Sequence, residues 1–136
     1  MKRLLPLLLL CGALAQLIYI RIDREQALAG NGARYRDAGF DLRIAADFEE
    51  ARSMEPSAFR IELKDDTGAP VDGTSLRLSI TMPGMLCGTI PGEIAEIAPG
   101  VYRATAIPVM AGSWQARASL GLAGVEARVS TDFEVK

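Results

Sequence analysis

From Phe40 onward, apolar and polar residues alternate along the chain with a period of two. The alternation recurs in five segments, which are residues 40–44, 59–63, 76–82, 114–120 and 125–135. Successive side chains of a β-strand point to opposite faces, so each segment predicts a strand with one face turned toward a core. Two shorter runs, residues 93–98 and 101–107, bring the predicted number of strands to about seven.

Turn-forming residues separate these predicted strands. They are Asp65-Asp66-Thr67-Gly68, Pro83-Gly84, Pro91-Gly92, Pro99-Gly100 and the segment 121–124. Pro and Gly supply the backbone angles that tight turns require. Short alternating strands at this spacing predict an all-β fold, an immunoglobulin-like antiparallel β-sandwich.

The N-terminal segment has the features of an export signal. Lys2 and Arg3 precede an apolar run over residues 4–20, which predicts a hydrophobic helix. Two interpretations are favoured: a signal peptide cleaved after the small residues around Ala15, or an uncleaved anchor in the inner membrane. A lipoprotein signal at Cys11 is a weaker third, because Leu10 stands where a small residue is expected. All three predict a periplasmic or otherwise extracytoplasmic domain. The sequence therefore divides into a signal or anchor at 1–20, a polar linker at 21–37 and a β-sandwich domain at 38–136.

Composition removes several classes of function. The 136 residues include no histidine, which excludes a Ser-His-Asp or Cys-His relay and an imidazole-ligated zinc site. The net charge is −2, and no glycine-rich phosphate loop occurs. A mildly acidic domain without a basic stripe predicts no nucleic-acid partner. We expect a protein that is not an enzyme.

Soft donor atoms are concentrated between residues 81 and 88. Met82, Met85 and Cys87 flank the Pro83-Gly84 dipeptide, whose residue types suit a type II turn. Such a turn would bring Met82 and Met85 together, and thioether and thiolate sulfurs select Cu(I) over Mg, Ca or Mn. The alternative is structural: Met82 ends a core strand, Met85 fills a gap and Cys87 is a small buried hydrophobe.

Cys87 itself allows three interpretations. A thiol without a partner is unusual in an oxidising compartment, where cysteines normally form disulfides. It could be an inert buried thiol, a metal ligand, or a group with an intermolecular or redox role. A ligand thiol should be partly exposed and near other sulfurs.

Three motifs in the second half resemble the YtkA-like and FixH-like family. They are Met82-Pro83-x-Met85-x-Cys87, Gly100-x-Tyr102 and Met110-Ala111-Gly112-x-Trp114. The family consists of small exported or membrane-anchored β-sandwich domains linked to copper handling and to assembly of haem-copper oxidases. The resemblance extends over roughly residues 38 to 136.

The resemblance implies Met82, Met85 and Met110 as candidate sulfur ligands. The family pattern usually has histidine where Cys87 stands, so a thiolate replaces an imidazole as the fourth candidate. This change either shifts the site toward Cu(I) with sulfur-only coordination or marks the loss of metal binding. Trp114 is expected to be a buried core aromatic.

Two functional hypotheses follow. In the first, the domain binds Cu(I) through these sulfurs and delivers it to a copper-accepting partner, an oxidase or a transporter. In the second, the domain binds no metal and serves as an interaction module that scaffolds a membrane complex. Convergence of the sulfurs in space would distinguish the two.

Overall fold

The computed structural model describes residues 15–16, 32–37, 39–71, 75–86, 88–122 and 124–136. Residues 1–30 and 31–136 form two separate units. In the first unit Ala15 and Gln16 are helical, and the rest of the predicted signal or anchor lies outside the described residues. No helix among the described residues combines the length and apolar character needed to cross a membrane.

The described residues of the second unit form nine β-strands. These are β1 (Gly32–Asp37), β2 (Phe40–Ala46), β3 (Ser57–Asp65), β4 (Leu76–Thr81), β5 (Thr89–Pro91), β6 (Glu93–Ala98), β7 (Val101–Ala106), β8 (Gly112–Leu122) and β9 (Val125–Val135). They pair into one sheet of order β1-β2-β3-β7-β6 and another of order β5-β4-β8-β9. Every pairing between neighbouring strands is antiparallel, as the sequence predicts.

The two sheets pack face to face as a β-sandwich. The alternating apolar residues of both inner faces are buried, among them Leu42, Ile61, Ile80 and Leu120. Charged residues such as Arg43 and Arg77 occupy the outer faces of the same strands. This confirms the prediction that the period-two pattern marks strands with one buried face.

The structure has two more strands than the seven predicted. β1 lies within the segment 21–37 that was predicted as a polar linker, and only Ala33 and Tyr35 of this strand pack partly against the core. Because β1 is an edge strand, it buries little apolar surface, and its arginines hide the alternation of apolar and polar residues. β5 has three residues and is too short for a periodic signal.

The connections between strands lie at two ends of the sandwich. One end, here called the methionine end, consists of residues 47–56, 82–86, 88, 107–111 and 136. The other, called the turn end, consists of residues 39, 66–71, 99–100 and 124. This division follows from the antiparallel registers, in which Thr81 pairs with Gln115 and Ser57 with Ala106 at the methionine end.

Aromatic side chains close the core beneath the methionine end. The ring centroids of Phe59 and Phe133, from opposite sheets, lie 5.2 Å apart. Phe48 contacts both rings edge-on, at 5.5 Å from Phe59 and 5.8 Å from Phe133. Edge-to-face contacts of this kind contribute about 0.5–1.5 kcal/mol each beyond the area they bury. The loops of the methionine end therefore lie on a base of three packed aromatic rings.

Candidate metal centre

The predicted turn at Pro83-Gly84 is present. Gly84 has a φ of +82°, and the Met85 N–H donates to the Met82 carbonyl oxygen at 3.3 Å. A positive φ at the third residue and a bond between the first and fourth define a type II turn. In a turn of this kind the Cα atoms of the first and fourth residues, here Met82 and Met85, are by definition less than about 7 Å apart.

Met82 reaches from this turn to the start of β8. A Cβ atom built on Gly112 would lie only 2.7 Å from Met82 Cε, so the methionine methyl occupies the space that any larger residue would need. Gly112 also has a φ of +136°, which L side chains rarely adopt. Met82 is half-buried and packs partly against the core. Glycine at 112 therefore lets Met82 lie against the segment that carries Met110.

Met110 lies in the loop from β7 to β8, two residues before Gly112. The Trp114 indole N–H donates to the Met110 carbonyl oxygen at 3.0 Å. Trp114 is buried, as predicted, so this bond anchors the backbone of Met110 to the core. The sequence motif Met-x-Gly-x-Trp thus describes one local unit: the Trp holds the loop, and the Gly admits Met82.

The other predicted ligands are Met85, whose side-chain exposure the structure gives as it does for Met110, and Cys87, which the structure does not describe. Met85 and Met110 are 46% and 40% exposed, unusually accessible for apolar side chains. Cys87 lies outside the described residues. The structure therefore brings the Met82–Met85 turn and the Met110 loop to the same end, and the role of Cys87 stays a prediction.

A fourth methionine at this end was not among the predicted site residues. Met54, in the loop from β2 to β3, is 69% exposed. Its backbone N–H donates to the Pro108 carbonyl oxygen at 2.7 Å, which joins its loop to the loop of Met110. Every methionine in the described part of the chain therefore lies at the methionine end.

A signal for Met54 exists in the sequence pattern. In a chain of antiparallel strands, alternate connections lie at the same end of the fold. Among the seven strands that the sequence predicts, the connections that contain Met54, Pro83-Gly84 and Met110 are the first, third and fifth, so strand order assigns them to one end. Met54 was missed because it stands alone in the sequence, whereas Met82 and Met85 are three residues apart.

Three charged groups at the methionine end, those of Glu50, Arg52 and Lys136, are paired with one another. The Glu50 carboxylate contacts Lys136 Nζ at 2.6 Å and Arg52 Nη2 at 2.9 Å. Hydrogen bonds from Lys136 first, and then from Arg52, hold the pKa of Glu50 below its ordinary value. The same end contains Ser57, a buried residue whose hydroxyl makes no hydrogen bond to the described residues.

The sequence profile of the YtkA-like family matches residues 39–119. The chain belongs to this family. The match includes Met54, Met82, Met85, Cys87 and Met110, and it ends within β8. No curated protein sequence matches the chain.

Two solved structures are similar to this YtkA-like protein in fold. The crystal structure of the Lin-41 filamin domain has a TM-score of 0.52 at 13% identity, over 70% of this chain and 91% of that domain. A DUF4785 family protein from Legionella pneumophila has a TM-score of 0.53 at 13% identity, over 73% of this chain. This chain spans 29% of the Legionella protein. At this identity the likeness concerns the immunoglobulin-like sandwich alone.

The donor atoms at the methionine end of this YtkA-like domain are chemically selective. Among the described residues, no three carboxylate or cysteine side chains are grouped so that they could hold a metal ion. The donors that the fold does bring together are thioethers, which are soft ligands suited to Cu(I). Thioether donors suit a soft ion such as Cu(I) better than the hard ions Mg or Ca.

Proposed function

We propose that this YtkA-like protein is an exported copper-binding accessory protein. In this proposal Met82, Met85 and Met110 hold Cu(I) through their thioethers, and Cys87 adds a thiolate. The observation that carries the proposal is the meeting of two loops: the Met82 methyl lies against Gly112, two residues from Met110. Thioethers that are far apart in sequence are thereby concentrated at one end of the sandwich.

The exposure of Met85 and Met110 supports transfer of the metal to another protein. A site with solvent-accessible sulfurs lets a partner's ligands replace them one at a time. We infer that the partner is a copper-accepting membrane protein, a haem-copper oxidase under assembly or a transporter. An N-terminal anchor would hold the domain beside it at the periplasmic face of the inner membrane.

Competitive Cu(I) titration tests the proposal. The full chain, in detergent micelles and without oxygen, competes for Cu(I) with a chromogenic chelator. We expect one Cu(I) per chain, with weaker binding in Met85→Leu and Cys87→Ser. Leu86→Ala is the matched control, because Leu86 is fully exposed in the same loop but has no sulfur. Failure of the wild-type chain to compete for copper would refute the metal site.

One observation favours a second function, an interaction module that binds no metal. The methionine end exposes apolar residues without sulfur as well, namely Leu86, Ile107 and Val109. Exposed apolar groups that lie together often mark a protein contact. In that case Leu86→Ala would abolish recovery of the chain with its membrane complex, while copper would have no effect on it.

A further inference from the structure

Met54 has an unusual backbone conformation. Its φ is +64°, and among the described residues it is the only one other than glycine with a positive φ. For a residue with a Cβ atom this left-handed conformation costs about 1–2 kcal/mol, so it persists only where the surroundings enforce it. Glycine or asparagine would occupy such a position more easily.

Hydrogen bonds on both sides enforce this conformation. The Met54 N–H bonds to the Pro108 carbonyl oxygen at 2.7 Å. The preceding N–H, of Ser53, donates to the Lys136 carbonyl oxygen at 2.9 Å, and the Lys136 N–H donates to Ala51 at 2.9 Å. The loop is thus fixed between the C-terminal end of β9 and the Met110 loop.

The result of this arrangement is an accessible thioether beside the candidate site. Met110 follows Pro108 by two residues, a distance of at most about 7 Å along the chain. A methionine side chain has three rotatable bonds, so its sulfur can adjust to a shared ligand. Burial does not explain the residue, because more than two-thirds of its surface is exposed.

We propose that Met54 is a further sulfur ligand of the Cu(I) site, supplied by the β2–β3 loop. The inference rests on the proposed function and adds a fourth thioether to its ligand set; because Cu(I) binds at most four donors, the four thioethers can hold it without the Cys87 thiolate. With Met54, three separate loops contribute thioethers: Met54, the Met82–Met85 turn and Met110. Soft thioether donors of this kind bind Cu(I) and discriminate against hard divalent ions.

Two substitutions separate a ligand from a merely structural residue. Met54→Leu keeps the apolar volume and removes the sulfur. Met54→Gly removes the sulfur and also relieves the positive φ, so it should raise the melting temperature. We expect both variants of the full chain to bind Cu(I) about tenfold more weakly, which corresponds to about 1.4 kcal/mol. Ile107→Ala, an exposed apolar change at the same end, should leave binding unchanged.

X-ray absorption at the copper edge provides an independent readout. We expect the number of sulfur scatterers around Cu(I) to fall by one in Met54→Leu. If the wild type binds copper and Met54→Leu has the same affinity and the same number of sulfur scatterers, the role of Met54 is overturned while the proposed function stands. Absence of copper binding by the wild-type chain would overturn both this inference and the proposed function.

Discussion

The two ends of the sandwich are built by different means. At the turn end, short polar segments satisfy their own backbone: Asp65 Oδ1 accepts from the Thr67 and Ala69 N–H groups, both at 2.9 Å. At the methionine end, separate segments bond to one another: the Met54 N–H donates to the Pro108 carbonyl oxygen at 2.7 Å, and the Ser53 N–H donates to that of Lys136 at 2.9 Å. Side chains of the loop itself stabilise the first end, which also has a long-range bond from the Leu63 N–H to the Gly100 carbonyl oxygen at 2.8 Å, whereas the second end is joined by backbone bonds between distant loops.

This difference accounts for where soft, exposed side chains are tolerated. The turn end has little freedom, because its hydrogen bonds dictate Asp, Gly and Pro at fixed positions. The methionine end takes its order from the aromatic base and from backbone bonds between loops. Its side chains are therefore free to be chosen for function, and here they are methionines.

Gly100→Ala should give the largest loss of stability. Gly100 has a φ of +73°, and a Cβ there would lie 2.7 Å from the Leu63 carbonyl oxygen and 3.0 Å from Pro70 Cβ. The Leu63 oxygen belongs to the backbone of a central strand and cannot move aside cheaply. We expect a loss of about 3 kcal/mol in the free energy of unfolding, measured by urea denaturation.

Gly68→Ala is the matched control for this prediction. Gly68 has a similar φ of +83°, but a Cβ there would meet nothing within 4 Å. Only the conformational cost should remain, about 1 kcal/mol. Equal losses in the two variants would show that the contact of Gly100 with Leu63 is unimportant.

Gly112→Ala tests the methionine end in the same way. Here the Cβ would meet Met82 Cε, the far end of a flexible side chain, which can move. We expect a loss of about 1 kcal/mol from the backbone strain and a larger effect on copper, because Met82 is displaced from the Met110 loop. Cu(I) competition and urea denaturation on the same samples measure the two effects.

If Gly112→Ala destabilised the fold as much as Gly100→Ala, the contrast between the two ends of the sandwich would be wrong. Undiminished copper binding in Gly112→Ala would indicate that the position of Met82 against β8 is irrelevant to the site. Gly100→Ala, in turn, should leave the copper affinity of its folded fraction unchanged.

Local physics explains what the sequence could predict. Alternation of residues and turn chemistry depend on neighbours, so seven strands, the type II turn at Gly84 and the burial of Trp114 follow from the pattern. β1 was not predicted because it is an exposed edge strand, and β5 was not predicted because it has only three residues. The positive φ of Met54 is imposed by Pro108 and Lys136, which are distant in sequence, and no local rule anticipates it.

The sequence predicted which residues belong to the candidate site better than how they are arranged in space. Met82, Met85 and Met110 were identified from motifs, but the approach of Met82 to Gly112, near Met110, depends on the order of strands in the sheet, which places β4 beside β8. Cys87 as a ligand stays a prediction. Strand order can assign Met54 to the same end of the fold, but its proximity to the Met110 loop needed the structure, because the bond from Met54 to Pro108 joins residues distant in sequence.

Asp41→Asn should have the smallest effect, confined to stability. Asp41 accepts from Arg34 Nε at 2.8 Å and from Arg43 Nη2 at 3.3 Å, and the two arginines stand directly opposite each other in β1 and β2. The hydrogen bond from Arg34, followed by that from Arg43, keeps the pKa of Asp41 below its ordinary value of 3.8. Without the carboxylate, like charges face each other across the strand pair.

The pH dependence of this variant follows from the lowered pKa. A carboxylate with a depressed pKa stabilises the fold above its unfolded-state pKa, and this contribution is lost as the pH falls through the folded-state pKa. Asp41→Asn should therefore lower the melting temperature at pH 7, and its difference from the wild type should shrink as the pH falls below 3.8 and through the lowered folded-state pKa of Asp41. Raised salt should shrink the difference at pH 7, because the pair is partly exposed. Copper affinity should not change, because the β1–β2 pair contributes no residue to the methionine end. A change in affinity would mean that the polar contacts of Asp41 are coupled to the loops of the methionine end through the sheet.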